Sequence, residues 1–260
     1  MELTKEYLYE NYILKNKTEQ GIADELGIGV GKVDYWIRKL GVNVKISNPD
    51  SFLSLTNIDK SDTIFCYYAG LCATDGYLDY KNHRVSVRVG NEGSKEVLEA
   101  LKNYFSFSGI VRQYGRNNIS NDLTIASPKI LKELESMGIE GKKDSRSFSL
   151  DWYYSATKDC RRMFLRGVLD GDGSINKVGG AVNIAMGSEP FITKLRELVN
   201  HVALSPYKEQ FSTNSTKKKY PAIMLRKADS ETVLKFIYEG FITYRFSDKY
   251  KKYCKIYLDR

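Results

Sequence analysis

Histidine, proline and paired cysteine are scarce in this chain of 260 residues, which holds two histidines, five prolines and four cysteines. Cys66, Cys72, Cys160 and Cys254 form no Cys-x-x-Cys pair, and His83 and His201 are the only imidazoles. That inventory argues against a zinc site and against a histidine-based nuclease. The four thiols read instead as buried and reduced. No apolar run approaches the roughly 20 residues needed to cross a bilayer, so no membrane association is expected. The N-terminal stretch "MELTKEYLYE" lacks the basic and then apolar segments of a secretory signal. An intracellular protein, encoded by a bacterium or phage, is the expectation. Negative charge is the minority sign. Forty Lys and Arg against 32 Asp and Glu give a net charge of +8, which favours a polyanionic partner. With 42% hydrophobic residues, the chain can bury one sizeable core or two or three small ones.

Residues 1–45 read as a unit of their own. "TKEYLYENYILKNK" is helix-like, with Leu8, Tyr12 and Ile13 on one side. Thr18 is placed to cap a short helix carrying Ile22, Ala23 and Leu26, and Gly27 suits a turn. A second helix from about Val30 shows Val33, Trp36, Ile37 and Leu40 at helical spacing. Small Ala23, turn-forming Gly27 and apolar Val33 have the spacing that two closely crossing helices need. The pattern resembles the helix-turn-helix of DNA-binding proteins, whose second helix enters the major groove. That resemblance places Lys32, Tyr35, Arg38 and Lys39, with Asp34, at DNA. The alternative is a small helical interaction domain. Residues 46–61, with "SNPDS" inside, read as a linker.

The rest of the chain repeats itself. "FCYYAGLCATDGYLD" (65–79) aligns with "RMFLRGVLDGDGSIN" (162–176) at a constant offset of 97 residues, Asp75 falling on Asp172. Gly70 falls on Gly167 and Gly76 on Gly173. The same offset carries Val85 and Val87 onto Val182 and Ile184, Gly90 onto Gly187, and Leu98 and Leu101 onto Leu195 and Leu198. Each copy shows a helix ending in an acid, a strand pair, a helix, a second strand pair and a final helix. The expected fold class is therefore α+β: a duplicated α-β-β-α-β-β-α domain, residues 62–156 and 157–260, preceded by a small all-α unit. The second copy carries a small insertion near "STNSTKKKYP".

Gly70 and Thr74, and Gly167 and Gly171, set small residues four apart on each acid-ended helix. Such faces let two helix backbones approach closely. Packed as a pseudo-twofold pair, the helices would end level, with Asp75 and Asp172 side by side. Adjacent carboxylates repel, and helix C-termini disfavour anions. A hard divalent cation with oxygen ligands offsets both.

"YAGLCATDG" (68–76) and "LRGVLDGDG" (165–173) resemble the two motifs of LAGLIDADG homing endonucleases in their single-chain, two-repeat form. The resemblance covers roughly residues 62–260 and is stronger in the second motif. It implies a site-specific endonuclease making a double-strand break in a long, asymmetric DNA target. The implied cofactor is Mg²⁺, with Mn²⁺ able to substitute, bound by Asp75 and Asp172. The motif's earlier acid is present as Asp170 but replaced by Ala73 in the first copy. One basic residue per repeat is implied beside the reacting water: Lys143 and Lys249, with Lys142 and Lys251 as near-equal substitutes. The strand pairs would form curved sheets along the DNA major groove. In "RVSVRV", Val85, Val87 and Val89 pack, while Arg84, Ser86 and Arg88 face DNA. Arg112, Arg116 and Asn118 would act similarly in the first repeat. Lys208, Gln210, Lys217, Lys218, Lys219 and Arg226 would do so in the second. The implied partner is double-stranded DNA, and a monomer is expected. The alternatives are a cleavage-inactive transcriptional regulator, or an RNA-binding intron maturase, on the same fold.

Overall fold

The computed structural model describes residues 3–14, 17–40, 42, 58–90, 93–107, 109–114, 120–177, 179–202, 210–213, 219–238, 240 and 244–259. The chain divides into two units, Met1–Leu55 and Thr56–Arg260.

In the first unit, α1 (Lys5–Leu8) continues as a π-helical turn over Tyr9–Leu14 and is followed by α2 (Glu19–Leu26) and α3 (Val30–Lys39). Thr18 caps α2 by accepting from the Gly21 N–H at 2.9 Å. Gly27, at φ +63°, ends it in the left-handed conformation that side chains avoid. The apolar faces of all three helices meet in one core containing Leu8, Tyr12, Ile22, Ala23, Val33 and Ile37. The small helical unit thus forms as its hydrophobic spacing requires. The region expected as a linker lies outside the described residues up to position 57. Ile58 is buried in the second unit, and Asp62 caps the next helix by accepting from the Ile64 and Phe65 N–H groups.

The second unit contains the expected element order twice. The first copy runs α4 (Thr63–Asp75), β1 (Gly76–Asp79), β2 (Arg84–Val89), α5 (Ser94–Tyr104), β3 (Arg112–Tyr114), β4 (Ser120–Ala126) and α6 (Pro128–Ser136). A short helix, α7 (Leu150–Ser155), leads into the second copy. That copy runs α8 (Lys158–Asp172), β5 (Gly173–Ile175), β6 (Val182–Ala185), α9 (Glu189–Val202), β7 (Gln210–Thr213), β8 (Lys219–Leu225) and α10 (Lys227–Tyr238). The chain closes with α11 (Ser247–Tyr253), extended by a π-helical turn over Cys254–Leu258. Each repeat forms one antiparallel sheet, in order β1-β2-β4-β3 and β5-β6-β8-β7. The apolar positions that keep register between the copies share their fate: Val85, Val87, Leu98, Leu101, Val182, Ile184, Leu195 and Leu198 are all buried. Each such aliphatic side chain contributes about 1.5–3 kcal/mol to folding through the water it sheds.

α4 and α8 pack against each other at the centre of the unit, and α4 is apolar nearly all round, as an enclosed helix must be. The contact is backbone against backbone. A β-carbon on Gly70 would collide with the Phe164 carbonyl oxygen and lie 2.9 Å from Gly167 Cα. One on Gly167 would collide with the Tyr67 carbonyl oxygen and lie 2.9 Å from the Leu71 nitrogen. One turn further on, Gly171 leaves room for the Thr74 side chain. Cys66, Cys72 and Cys160 are buried free thiols, whereas Cys254 is only half-buried. No helix among the described residues is long and apolar enough to cross a membrane.

Gly70→Ala should destabilise the second unit by about 2–4 kcal/mol in urea unfolding, because its neighbours are backbone atoms that cannot step aside. Gly31→Ala, which meets nothing within 4 Å, should be neutral or mildly stabilising. Equal effects from the two would contradict the close crossing.

Candidate active site

The crossing sets the two helix C-termini beside each other, and Asp75 and Asp172 are the last residues of α4 and α8. The Lys143 ammonium bridges them, donating to Asp75 Oδ1 and to Asp172 Oδ1 at 3.4 Å each. The two carboxylate oxygens therefore lie within two such contact lengths of each other. Lys143 arrives from a 3₁₀ turn, Lys143–Ser145, that follows α6, the last helix of the first copy. Both acids are largely enclosed, with side chains 22% and 17% exposed. Burial raises the Asp75 pKa above the ordinary carboxyl value, and Lys143 opposes the shift. Burial also raises Asp172, to about 6; Lys143 again opposes and Asp75 adds to the rise.

Two further cations secure the helix ends. Lys249 is buried and donates to the carbonyl oxygens of Leu169 at 2.7 Å, Asp170, and Gly171 at 3.5 Å. Arg146 does the same for α4, donating to the carbonyls of Cys72 at 2.6 Å and Gly76 at 3.0 Å. These carbonyls lie at the negative ends of the two helix dipoles, where Leu169 and Cys72 also accept from the Gly173 and Gly76 N–H groups. Burial lowers the pKa of both groups. The sequence pairs Lys143 with Lys249 as counterparts, and the structure pairs Lys249 with Arg146 instead. Lys143 has no twin: three residues before Lys249, where a twin would stand, is the buried Phe246.

Asp170 is wholly buried, and its Oδ2 accepts from the Tyr67 hydroxyl at 2.8 Å and from the Phe246 N–H at 3.0 Å. It pins the segment that delivers Lys249 and does not join the Asp75–Asp172 pair. Its absence from the first motif, as Ala73, leaves that pair intact.

The pair suits a divalent cation. Asp172 Oδ2 is buried and has no hydrogen-bond partner, and an ammonium already stands between the two carboxylates. Among the described residues no third acid, histidine or cysteine joins them. A site with two carboxylates is the type magnesium accepts when phosphates and waters complete its shell.

A groove of about 380 Å³ opens from Asp75 across the outer face of the first sheet, lined by Tyr77, Ser86, Arg88, Tyr114, Asp122 and Thr124. Val85, Val87 and Val89 point to the core, as their alternation requires, while Arg84 and Arg88 are exposed and Ser86 is half-buried. Ser86 and Thr124 hydroxyls meet at 2.7 Å, and Thr124 donates to Asp122 at 2.9 Å. The buried Asp122 faces the Arg88 guanidinium at 3.5 Å, which lies over the Tyr114 ring. No sequence signal marked Asp122, Thr124 or Tyr114, because only the strand register aligns them with Arg88. Arg112 and Arg226 are exposed. Gln210 lies on β7 and Lys219 on β8. Arg116, Asn118, Lys208, Lys217 and Lys218 lie outside the described residues. In the first unit Lys32 is exposed, and so is Tyr35. Arg38 pairs with Asp34 at 2.9 Å, and Lys39 lies over the Trp36 ring at 4.5 Å.

Two α-β-β-α-β-β-α repeats, packed through central helices that end in paired aspartates, make a fold similar to that of solved homing endonucleases. Residues 159–239 match the family described as a LAGLIDADG-like domain. Among solved structures, the chain resembles the homing endonuclease I-WcaI bound to its DNA recognition sequence. The TM-score is 0.57 at 15% identity, covering 83% of this chain and 97% of that one. I-DmoI in complex with DNA and Mn gives 0.48 at 14% identity, over 71% and 100% of the two chains. The N-terminal LAGLIDADG domain of DUF199/WhiA gives 0.47 at 13%, over 73% and 89%. No curated protein matches the chain in sequence.

The raised pKa of Asp172 fixes a sign. With a folded-state value near 6 against an ordinary 3.8, the folded chain holds the proton more tightly, so ionising Asp172 costs stability as pH rises through that window. In EDTA, Asp172→Asn should be more stable than the parent by on the order of 1–3 kcal/mol at pH 8, and by almost nothing at about pH 3, below both values. Urea unfolding across that range checks it. A gain independent of pH would show that Asp172 is not the group held above its ordinary value.

Proposed function

We propose that this protein is a divalent-metal-dependent endonuclease that cuts both strands of a long, asymmetric duplex DNA target. The convergence of Asp75 and Asp172 on one ammonium, from two separate repeats, carries this reading. Two acids per active centre match two scissile phosphates, and two unlike repeats in one chain match an asymmetric target read by a monomer.

A magnesium ion held by Asp75 and Asp172 would neutralise phosphate charge and lower the pKa of a reacting water. The residues of this chain do the rest. Asp75 and Asp172 present oxygens level with each other at the junction of the two sheets. Lys143 carries mobile positive charge to the point where phosphate charge develops, the role expected of it. Lys249 and Arg146 act as positioning residues: they hold the two helix ends in register by satisfying their last carbonyls. The outer face of the first sheet supplies Arg84, Arg88 and Arg112 to the duplex. Arg88, steadied by Asp122 and Tyr114, offers the paired donors that match a guanine edge. The helix-turn-helix-like unit adds Lys32, Tyr35, Arg38 and Lys39 as a second DNA contact.

The test is cleavage of a supercoiled plasmid carrying the sequence that flanks the gene's insertion site, in Mg²⁺, Mn²⁺, Ca²⁺ or EDTA. Linear product is expected with Mg²⁺ or Mn²⁺ and none with EDTA. Asp75→Asn and Asp172→Asn should each reduce cutting by at least about 10³-fold, while binding in Ca²⁺ stays within a few-fold of the parent. Tight binding without a nick in any metal would identify a regulator instead. Continued cutting by both variants would place the chemistry elsewhere.

A further inference from the structure

The two sheets offer DNA unlike surfaces. The first presents Arg84, Arg88 and Arg112, whereas the groove on the second sheet is lined by Ser174, Asn176, Asn183 and Met224, with no cation among its lining residues. Positive charge gathers just beyond it. Lys177, in the turn after β5, meets Lys251, Lys252 and Lys255 of the C-terminal helix around a groove of about 240 Å³ floored by Ile256. Among the described residues no acid lines this groove. The nearest counter-charge in contact is Asp248, at 3.9 Å from Lys252. Lys177, Lys251 and Lys255 are exposed and Lys252 is half-buried. None of the four has a place in the metal site or on the outer face of either sheet.

The cluster is built rather than incidental. The buried Tyr257 donates its hydroxyl to the Gly180 carbonyl at 2.6 Å, fastening the π-helical turn to the β5–β6 hairpin. Gly180, at φ +70°, has Ile256 and Tyr257 so close that no side chain would fit there. α11 also packs along β5, an edge strand of its sheet. The helix thereby covers an edge that would otherwise pair with other chains, and it aligns its lysines with the hairpin. β5 begins directly after Asp172, and Lys177 is five residues further on. At strand rise that is at most roughly 16 Å from the acid, or about five base-pair steps of duplex.

We infer that Lys177, Lys251, Lys252 and Lys255 form a phosphate clamp that grips the DNA backbone on the outer side of the second half-site. The clamp rests on the DNA-cutting reading and adds cationic contact beyond the groove of the second sheet, whose lining residues include no cation. Four ammonium groups around an apolar floor select a run of phosphodiesters, which needs charge and no base-specific partner.

The probe is an arbitrary duplex of about 40 base pairs, because backbone contacts do not depend on sequence. The full chain is titrated with it from 50 to 300 mM salt in Ca²⁺ (concentrations approximate). Each phosphate contact contributes about 0.9 to the slope of log affinity against log salt. Replacing all four lysines with Gln should lower that slope by roughly 3, and replacing them with Arg should leave it within about 1 of the parent. Lys95, Lys129, Lys132 and Lys235 changed together to Gln remove equal charge from the helical side, and should lower the slope by less than about 1. An unchanged slope in the clamp variant, or an equal drop in the control, overturns the clamp while DNA binding stands. A parent chain that fails to bind the duplex overturns the DNA reading itself, and the clamp with it.

Discussion

The structure turns on how closely two helix backbones approach each other. α4 and α8 meet with Gly70 against Gly167, and neither position has space for a single extra carbon. That contact does more than pack a core. It brings the ends of both helices to one level and sets two aspartates, distant in sequence, against one ammonium. Each sheet then begins immediately after its acid. One steric constraint therefore fixes both the candidate centre and the two surfaces that flank it.

Bringing two helix C-termini and two carboxylates together concentrates negative charge in a partly dry place, and the chain answers with three cations of distinct duties. Arg146 and Lys249 are committed to backbone carbonyls. Lys143, 41% exposed, is held among the described residues by the two carboxylates and can yield to a competing cation. The asymmetry between the repeats, Asp170 in one motif and Ala73 in the other, falls on a structural clamp and spares the pair. Divergence at that position costs the site little because the earlier acid serves the fold of its own repeat.

Much of this was legible in the residues. The offset of 97 between Asp75 and Asp172 held for the buried positions of strands and helices alike, because burial constrains side-chain type wherever a fold is copied. The small-residue faces gave the helix crossing, and the alternation of "RVSVRV" gave the two faces of a strand. Arg146 was not legible: in "GKKDSRS" it is one of several cations, and only the folded chain shows which one turns inward. The true counterpart of Lys249 was hidden for the same reason. Asp122 and Tyr114 came into view only through strand register, which a single sequence does not specify. The lysines of the C-terminal helix read as ordinary surface charge until Tyr257 and Gly180 tied that helix to a hairpin far back in the chain.

The central claim is that Asp75 and Asp172 together hold one divalent cation in place of the Lys143 ammonium. Crystals grown with Mn²⁺ and duplex DNA, measured at the manganese absorption edge, test it most directly. The expected result is an anomalous peak within about 2.5 Å of an oxygen of each aspartate, with the Lys143 side chain turned away. An empty pair still bridged by Lys143, or manganese bound elsewhere, would contradict it.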